Sequence, residues 1–163
     1  MKKSHIDHIL NQAVNFSESS GAWKISLPII LVTRFLLDET EKQMFEQYGL
    51  IHSETDVLAT LYFNEKLLSP TALYEAMLFF SGGMTKVLKR LEEKGLISRI
   101  PCTADKRSLL VQLEPKGEAV IEEVLHMVSQ YQADFFAVLD EEEKRIVEKA
   151  FRKLAYASLG KGE

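Results

Sequence analysis

The chain is poor in the residues that staple, anchor or catalyse. Its 163 residues include one cysteine, Cys102, so no disulfide can close within it. No apolar run approaches the roughly 18 residues of a membrane-spanning helix, so no membrane association is expected. The opening MKKSHIDHIL has two lysines but no long apolar stretch and no small-residue cleavage site, so no secretory signal is expected there. A P-loop, a dinucleotide fingerprint, a nucleophile elbow and an HExxH spacing are all missing. His5 and His8 are three apart, His52 and His126 stand singly, and none forms a Cys–His cluster. They read as surface or interface residues. These absences argue against an enzyme, and no metal and no cofactor is expected. There is no repeat, low-complexity tract or linker.

What is present is ordinary globular material. The chain is 46% hydrophobic and 27% charged, enough for one core with apolar surface left for a subunit contact. A reducing, cytoplasmic setting fits the lone cysteine. The net charge is −4 and the pI about 5.7, so contact with a polyanion must be confined to a patch.

One stretch breaks that acidic balance. Ser81 to Leu113, SGGMTKVLKRLEEKGLISRIPCTADKRSLLVQL, holds seven Lys or Arg against three acids, a local +4 that leaves −8 for the remainder. Met84, Val87, Leu88 and Leu91 follow the spacing of one helical stripe. Ser81 is the expected N-cap and Gly95 the expected C-terminal cap. Thr85, Lys86, Lys89 and Arg90 lie off the stripe with Gly82 and Gly83. Two short apolar runs, Leu96–Ile100 and Ser108–Leu113, flank PCTADKR, a turn signal carrying Pro and Asp. A basic helix running straight into a hairpin reads as a winged helix-turn-helix. The bland alternative is a solvated helix face; the charge asymmetry and the hairpin weigh against it.

The flanking chain is helical. Residues 5–16 carry a short apolar stripe. A long helix is predicted from about Trp23 to Gln47, nearly apolar all round in its first half, with Pro28 near its start where a missing N–H is tolerated. Ser53 with Asp56 resembles a capping box. NEKLL reads as a connector. Ser69–Pro70 opens a short helix, Thr71 to Met77, and Leu78–Phe80 turns into the basic helix. Glu114–Pro115 opens a second long helix, and Asp140 caps the last one. The expected fold class is mainly α with a small β-hairpin wing. One domain spans 1–163, with 5–47 and 115–157 as dimerisation helices and 50–113 as the DNA-binding lobe. The terminal helices have more stripe than a small lobe can cover, which a two-fold dimer would bury.

The chain resembles the multiple-antibiotic-resistance regulator (MarR) family of winged-helix transcription factors, from about Trp23 to Leu154. SGGMTKVLKRLEEKGLISR, ADKRSLLVQL and PKG carry the resemblance most specifically. It implies a cytoplasmic homodimeric regulator, in most cases a repressor, on a pseudo-palindromic operator in double-stranded DNA. Ser81, Gly82, Gly83, Thr85, Lys86, Lys89 and Arg90 would act from the recognition helix. Asp105 and Arg107 match the family's wing-tip pair, the acid orienting an arginine in the minor groove, and Lys106 replaces a frequent arginine. Gly117 matches the glycine that opens the long dimer helix, and Glu114 stands where a threonine cap is common. A small aromatic or phenolic effector is also implied, with Trp23, Phe35, Tyr62, Phe63 and Tyr131 as candidate pocket residues; the alternative for these five is plain core. Cys102 reads as an ordinary wing cysteine rather than a redox sensor. The competing function is a winged-helix protein-interaction module without specific DNA binding.

Overall fold

Helical stripes punctuated by Gly, Pro and Ser fold locally much as their spacing dictates. A computed structural model describes residues 3–15, 21–77, 83–102 and 109–159. The order is α1 (Lys3–Asn15), α2 (Ala22–Tyr48), α3 (His52–Phe63), β1 (Leu67–Leu68), α4 (Pro70–Ala76), α5 (Met84–Glu93), β2 (Ile97–Pro101), β3 (Leu109–Leu113), α6 (Pro115–Phe136) and α7 (Glu141–Leu159). The chain divides into two compact units, Met1–Thr55 and Asp56–Glu163. No helix among the described residues is long and apolar enough to cross a membrane.

In the first unit α1 packs on α2. Pro28 is the seventh residue of α2, six positions after Ala22 begins the helix. Its missing N–H removes one rung of the ladder, yet the helix continues to Tyr48. Thr40 is buried near the helix's C-terminal end, and its hydroxyl donates back to the Leu36 carbonyl at 2.7 Å. The cap of α3 also departs from the sequence expectation. The Ser53–Asp56 pair is not the cap. Ile51 precedes the helix, and the Glu54 carboxylate accepts its backbone N–H at 3.3 Å. That is half a capping box, displaced from Ser53 by two residues.

The second unit builds the core of the lobe. Val57, Leu58 and Leu61 of α3, Leu73 of α4, and Val87, Leu88 and Leu91 of α5 are buried. Ser69 caps α4, its hydroxyl accepting the Ala72 N–H at 3.1 Å, with Pro70 at the first helical position. The three strands form an antiparallel sheet in the order β1-β3-β2. Ile97 pairs with Leu113 and Arg99 with Val111, so Ile97, Val111 and Leu113 bury one face. β1 is an addition to the expected hairpin. Two residues are too few to show a period, and only pairing with β3 (Leu67 opposite Gln112, Leu68 opposite Val111) makes them a strand.

α6 starts at Pro115 as expected, with no side-chain cap from Glu114. Asp140 caps α7. Its carboxylate accepts the Glu142 and Glu143 N–H groups, each at 2.8 Å, and Glu143 accepts the Asp140 N–H at 2.9 Å. The described side chains of α7 are largely exposed, Ile146, Phe151, Leu154 and Tyr156 among them.

Candidate nucleic-acid interface

α5 owes its orientation to its stripe. Val87, Leu88 and Leu91 are buried, Met84 is half-buried, and each fully buried aliphatic side chain contributes about 1.5–3 kcal/mol. With that face inward, Thr85, Lys86 and Lys89 turn outward, all three exposed, and Arg90 lies half-buried at the edge. Lys86 with Lys89, and Lys86 with Arg90, stand at spacings that make neighbours on a helix surface. The resulting strip of cations and one hydroxyl can meet phosphates and base edges. Lys89 pairs with Glu93 at 3.7 Å, with the side chains 72% and 61% exposed. A pair so exposed holds little energy, so it does not keep Lys89 from DNA.

The cap of the helix falls two residues later than the sequence suggests. Ser81, the expected N-cap, and Gly82 lie outside the described residues. Gly83 occupies the cap position instead, at φ 77° with no side-chain cap. That left-handed conformation is one glycine takes without a Cβ clash, and among the described residues no side chain caps the first-turn N–H groups of α5. An exposed N-terminal turn of this kind favours an anion. At the far end, Gly95 N–H donates to the Glu92 carbonyl at 2.9 Å and Leu96 N–H to the Leu91 carbonyl at 3.0 Å. These two bonds close the helix as a Schellman motif. The Lys116 ammonium then donates to the Lys94 carbonyl at 2.8 Å, a cation at a helix C-terminus.

Not every cation in the local excess faces outward. Arg99 shares the inward sheet face with Val111, half-buried, its Nε 3.4 Å from a Glu92 carboxylate oxygen. The two are within ion-pair distance without hydrogen-bond alignment, since that Nε has no hydrogen-bond partner among the described residues. Arg99 therefore joins β2 to α5 rather than extending the basic strip. The wing strands end with Pro101 opposite Leu109. Asp105, Lys106 and Arg107, the expected wing-tip residues, lie outside the described residues.

The five candidate pocket aromatics are not core residues. Trp23 and Phe35 of α2 are 44% and 46% exposed, and Phe63 is 69% exposed. Tyr62 and Tyr131 are half-buried. Tyr62 and Phe63 meet edge to face, ring centres 5.3 Å apart. The Tyr62 hydroxyl donates to Glu122 on α6 at 2.9 Å. This bond, and the Glu122 charge after it, raise the phenol pKa above its ordinary 10.0. A different cavity, of about 370 Å³, lies in the first unit, lined by residues that include Leu37, Glu41, Lys42, Phe45 and His52. His52 contacts the Leu37 carbonyl through Nε2 at 2.8 Å, and its backbone N–H donates to Glu41 at 3.2 Å. Nothing near His52 in the sequence sets it apart from a surface or interface histidine, because its partners lie eleven and fifteen positions away. Among the described residues no group of three or more His, Cys, Asp or Glu could hold a metal ion.

A short helix, a second helix with an outward basic face, and an adjoining antiparallel hairpin define a winged helix-turn-helix DNA-binding protein. A profile described as the MarR family matches residues 48–108. The HTH-type transcriptional regulator PecS of Dickeya dadantii (strain 3937) is 32% identical over 111 residues, covering 67% of each chain. The YusO protein of Bacillus subtilis, a solved structure, is 28% identical, with a TM-score of 0.66 over 86% of this chain and 99% of that one. The fold is shared further with the organohalide-sensing regulator RdhR-CbdbA1625 in its 2,4-dichlorophenol-bound form, at a TM-score of 0.75, 18% identity, and 88% and 85% coverage. The chain belongs to the MarR family and is a transcriptional regulator, not an enzyme.

Proposed function

We propose that this regulator is a cytoplasmic homodimer that represses transcription from a pseudo-palindromic operator and responds to a small aromatic or phenolic effector. The observation that carries the reading is α5: a buried apolar face fixes the helix, and Thr85, Lys86 and Lys89 project from the opposite face. In this reading Thr85, Lys86, Lys89 and Arg90 enter the major groove. Ser81, Gly82 and Gly83 lie at the phosphate-facing end. Arg107, oriented by Asp105, and Lys106 act from the wing. The lobe is 50–113, and the helices of 5–47 and 115–157 join the copies.

The dimer is supported by apolar surface that one copy leaves uncovered. Ile146, Phe151 and Leu154 share the apolar side of α7 and are all exposed. A two-fold dimer would cover that face and space two recognition helices for successive major grooves, roughly 34 Å apart. An effector that changes this spacing would lower affinity by favouring a state that cannot span both half-sites. The dichlorophenol-bound relative supports a phenolic ligand class, for which Trp23, Phe35, Tyr62, Phe63 and Tyr131 are the candidate contacts.

Footprinting on fragments from upstream of its own gene tests the reading. Two protected half-sites, one helical turn apart and related by a two-fold, are expected. Binding of a protein partner with no preferred DNA fragment would replace it with the interaction-module reading.

A further inference from the structure

The turn that follows α3 is strained. Among the described residues, only Glu65 and Lys66 are non-glycines at positive φ, 59° and 65°. Side chains adopt that region at a cost that glycine avoids. Lys66 is held there from three directions. Its N–H donates to the Leu61 carbonyl of α3 at 2.9 Å. Its carbonyl accepts the Leu113 N–H, at the end of the wing strand β3, at 2.8 Å. Its ammonium donates to Glu118 in the first turn of α6. One turn further along α6, Glu122 accepts from Tyr62 of α3. Glu118 and Glu122 thus form one acidic edge that grips the end of α3 and the turn beyond it.

Stability alone is a poor reason for this lysine. Its side chain is 46% exposed and that of Glu118 is 32% exposed. Exposed pairs of this kind add little, while the left-handed backbone costs. A glycine would give the same backbone bonds without strain. What it would lose is the side-chain link to Glu118, from the base of the wing to α6. The Glu118 hydrogen bond holds the Lys66 ammonium above its ordinary pKa of 10.5, so the lysine stays charged across the neutral range.

We propose that Lys66 is a positioning residue, a clamp through Glu118 that fixes the angle between the DNA-reading lobe and α6. The proposal rests on the DNA-binding reading above. With the clamp closed, the wing and α5 meet DNA in one orientation relative to the helix that joins the copies. With it open, the lobe samples several, and binding has to select one of them.

The test uses the full-length protein, the fragment protected in footprinting, and a salt series. Lys66→Gly should weaken binding about threefold to tenfold, with a melting temperature no lower than wild type and an unchanged salt slope. Glu118→Gln should weaken binding similarly, the double variant no more than either single one, and Lys66→Arg should restore wild-type affinity. Wild-type affinity in Lys66→Gly overturns the clamp. So does a shallower salt slope, which would place Lys66 on a phosphate, and so do additive losses in the double variant. A wild-type protein that binds no fragment overturns the DNA reading itself, and the clamp with it.

Discussion

Gly117, in the first turn of α6, lies so near Leu96 that a Cβ on it would fall 2.1 Å from the Leu96 carbonyl oxygen and 2.9 Å from Leu113 Cδ1. That carbonyl cannot easily yield, because it accepts the Glu114 N–H at 3.1 Å. The close approach joins the start of β2, the end of β3 and the start of α6. Gly117→Ala should therefore destabilise the protein by roughly 1–3 kcal/mol, the range for overpacking a tight contact. Chemical denaturation measures it. An unchanged midpoint would mean that α6 does not lie this close to Leu96.

Tyr62 should titrate late. Its pKa is raised by the hydrogen bond to Glu122 and then by that carboxylate's charge. A raised phenol pKa means that folding favours the neutral, donating form. The contribution is therefore complete below the ordinary 10.0 and fades as pH climbs through the raised value. The difference in phenolate absorbance between wild type and Tyr62→Phe isolates this residue from the other tyrosines. Glu122→Ala should bring the curve back toward the ordinary range. A Tyr62 that already ionises near 10.0 in the wild type contradicts the bond.

Asp140 should matter more than its exposed position suggests. It accepts two first-turn N–H groups of α7, and Glu143 returns the favour. Asp140→Ala should cost about 1 kcal/mol, and Asp140→Asn much less. Amide exchange in Glu142 and Glu143 reads this directly. Equal protection in the Ala variant would show the cap to be idle.

These features differ in how far the sequence exposes them. The stripes of α5 and α6, the Ser69–Pro70 start of α4 and the Asp140 cap were legible, because each depends on residues within four positions of one another. The cap of α3 was misplaced for a local reason: Ser53 offers a hydroxyl, but the Glu54 carboxylate reaches back to Ile51 first. Pro28 lies in the second turn of α2, close to the position its spacing from Trp23 suggests. β1 and the Lys66–Glu118 link were invisible, since Lys66 meets its partner 52 positions on. The outward face of Thr85, Lys86 and Lys89 was legible as an amphipathic pattern. The inward turn of Arg99 was not, because net charge does not record which face of a strand a side chain occupies.

The apolar side of α7 bears on assembly. Leu154 and Phe151 are about half exposed in a single copy. Leu154→Asp should shift the protein from dimer to monomer in sedimentation velocity, because a carboxylate buried without a partner is strongly unfavourable. DNA affinity should fall with it. A variant that remains dimeric would place the interface elsewhere.

The most direct test of DNA reading by α5 is the salt dependence of binding to the preferred fragment, measured for wild type and for Lys86→Ala/Lys89→Ala. Wild type should give a log K against log salt slope on the order of −5 to −8. The variant should be shallower by about 3 to 4, for two lysines in each of two protomers, with no loss of thermal stability because both side chains are exposed. Equal slopes for the two proteins, or wild-type binding that salt does not affect, would contradict the account.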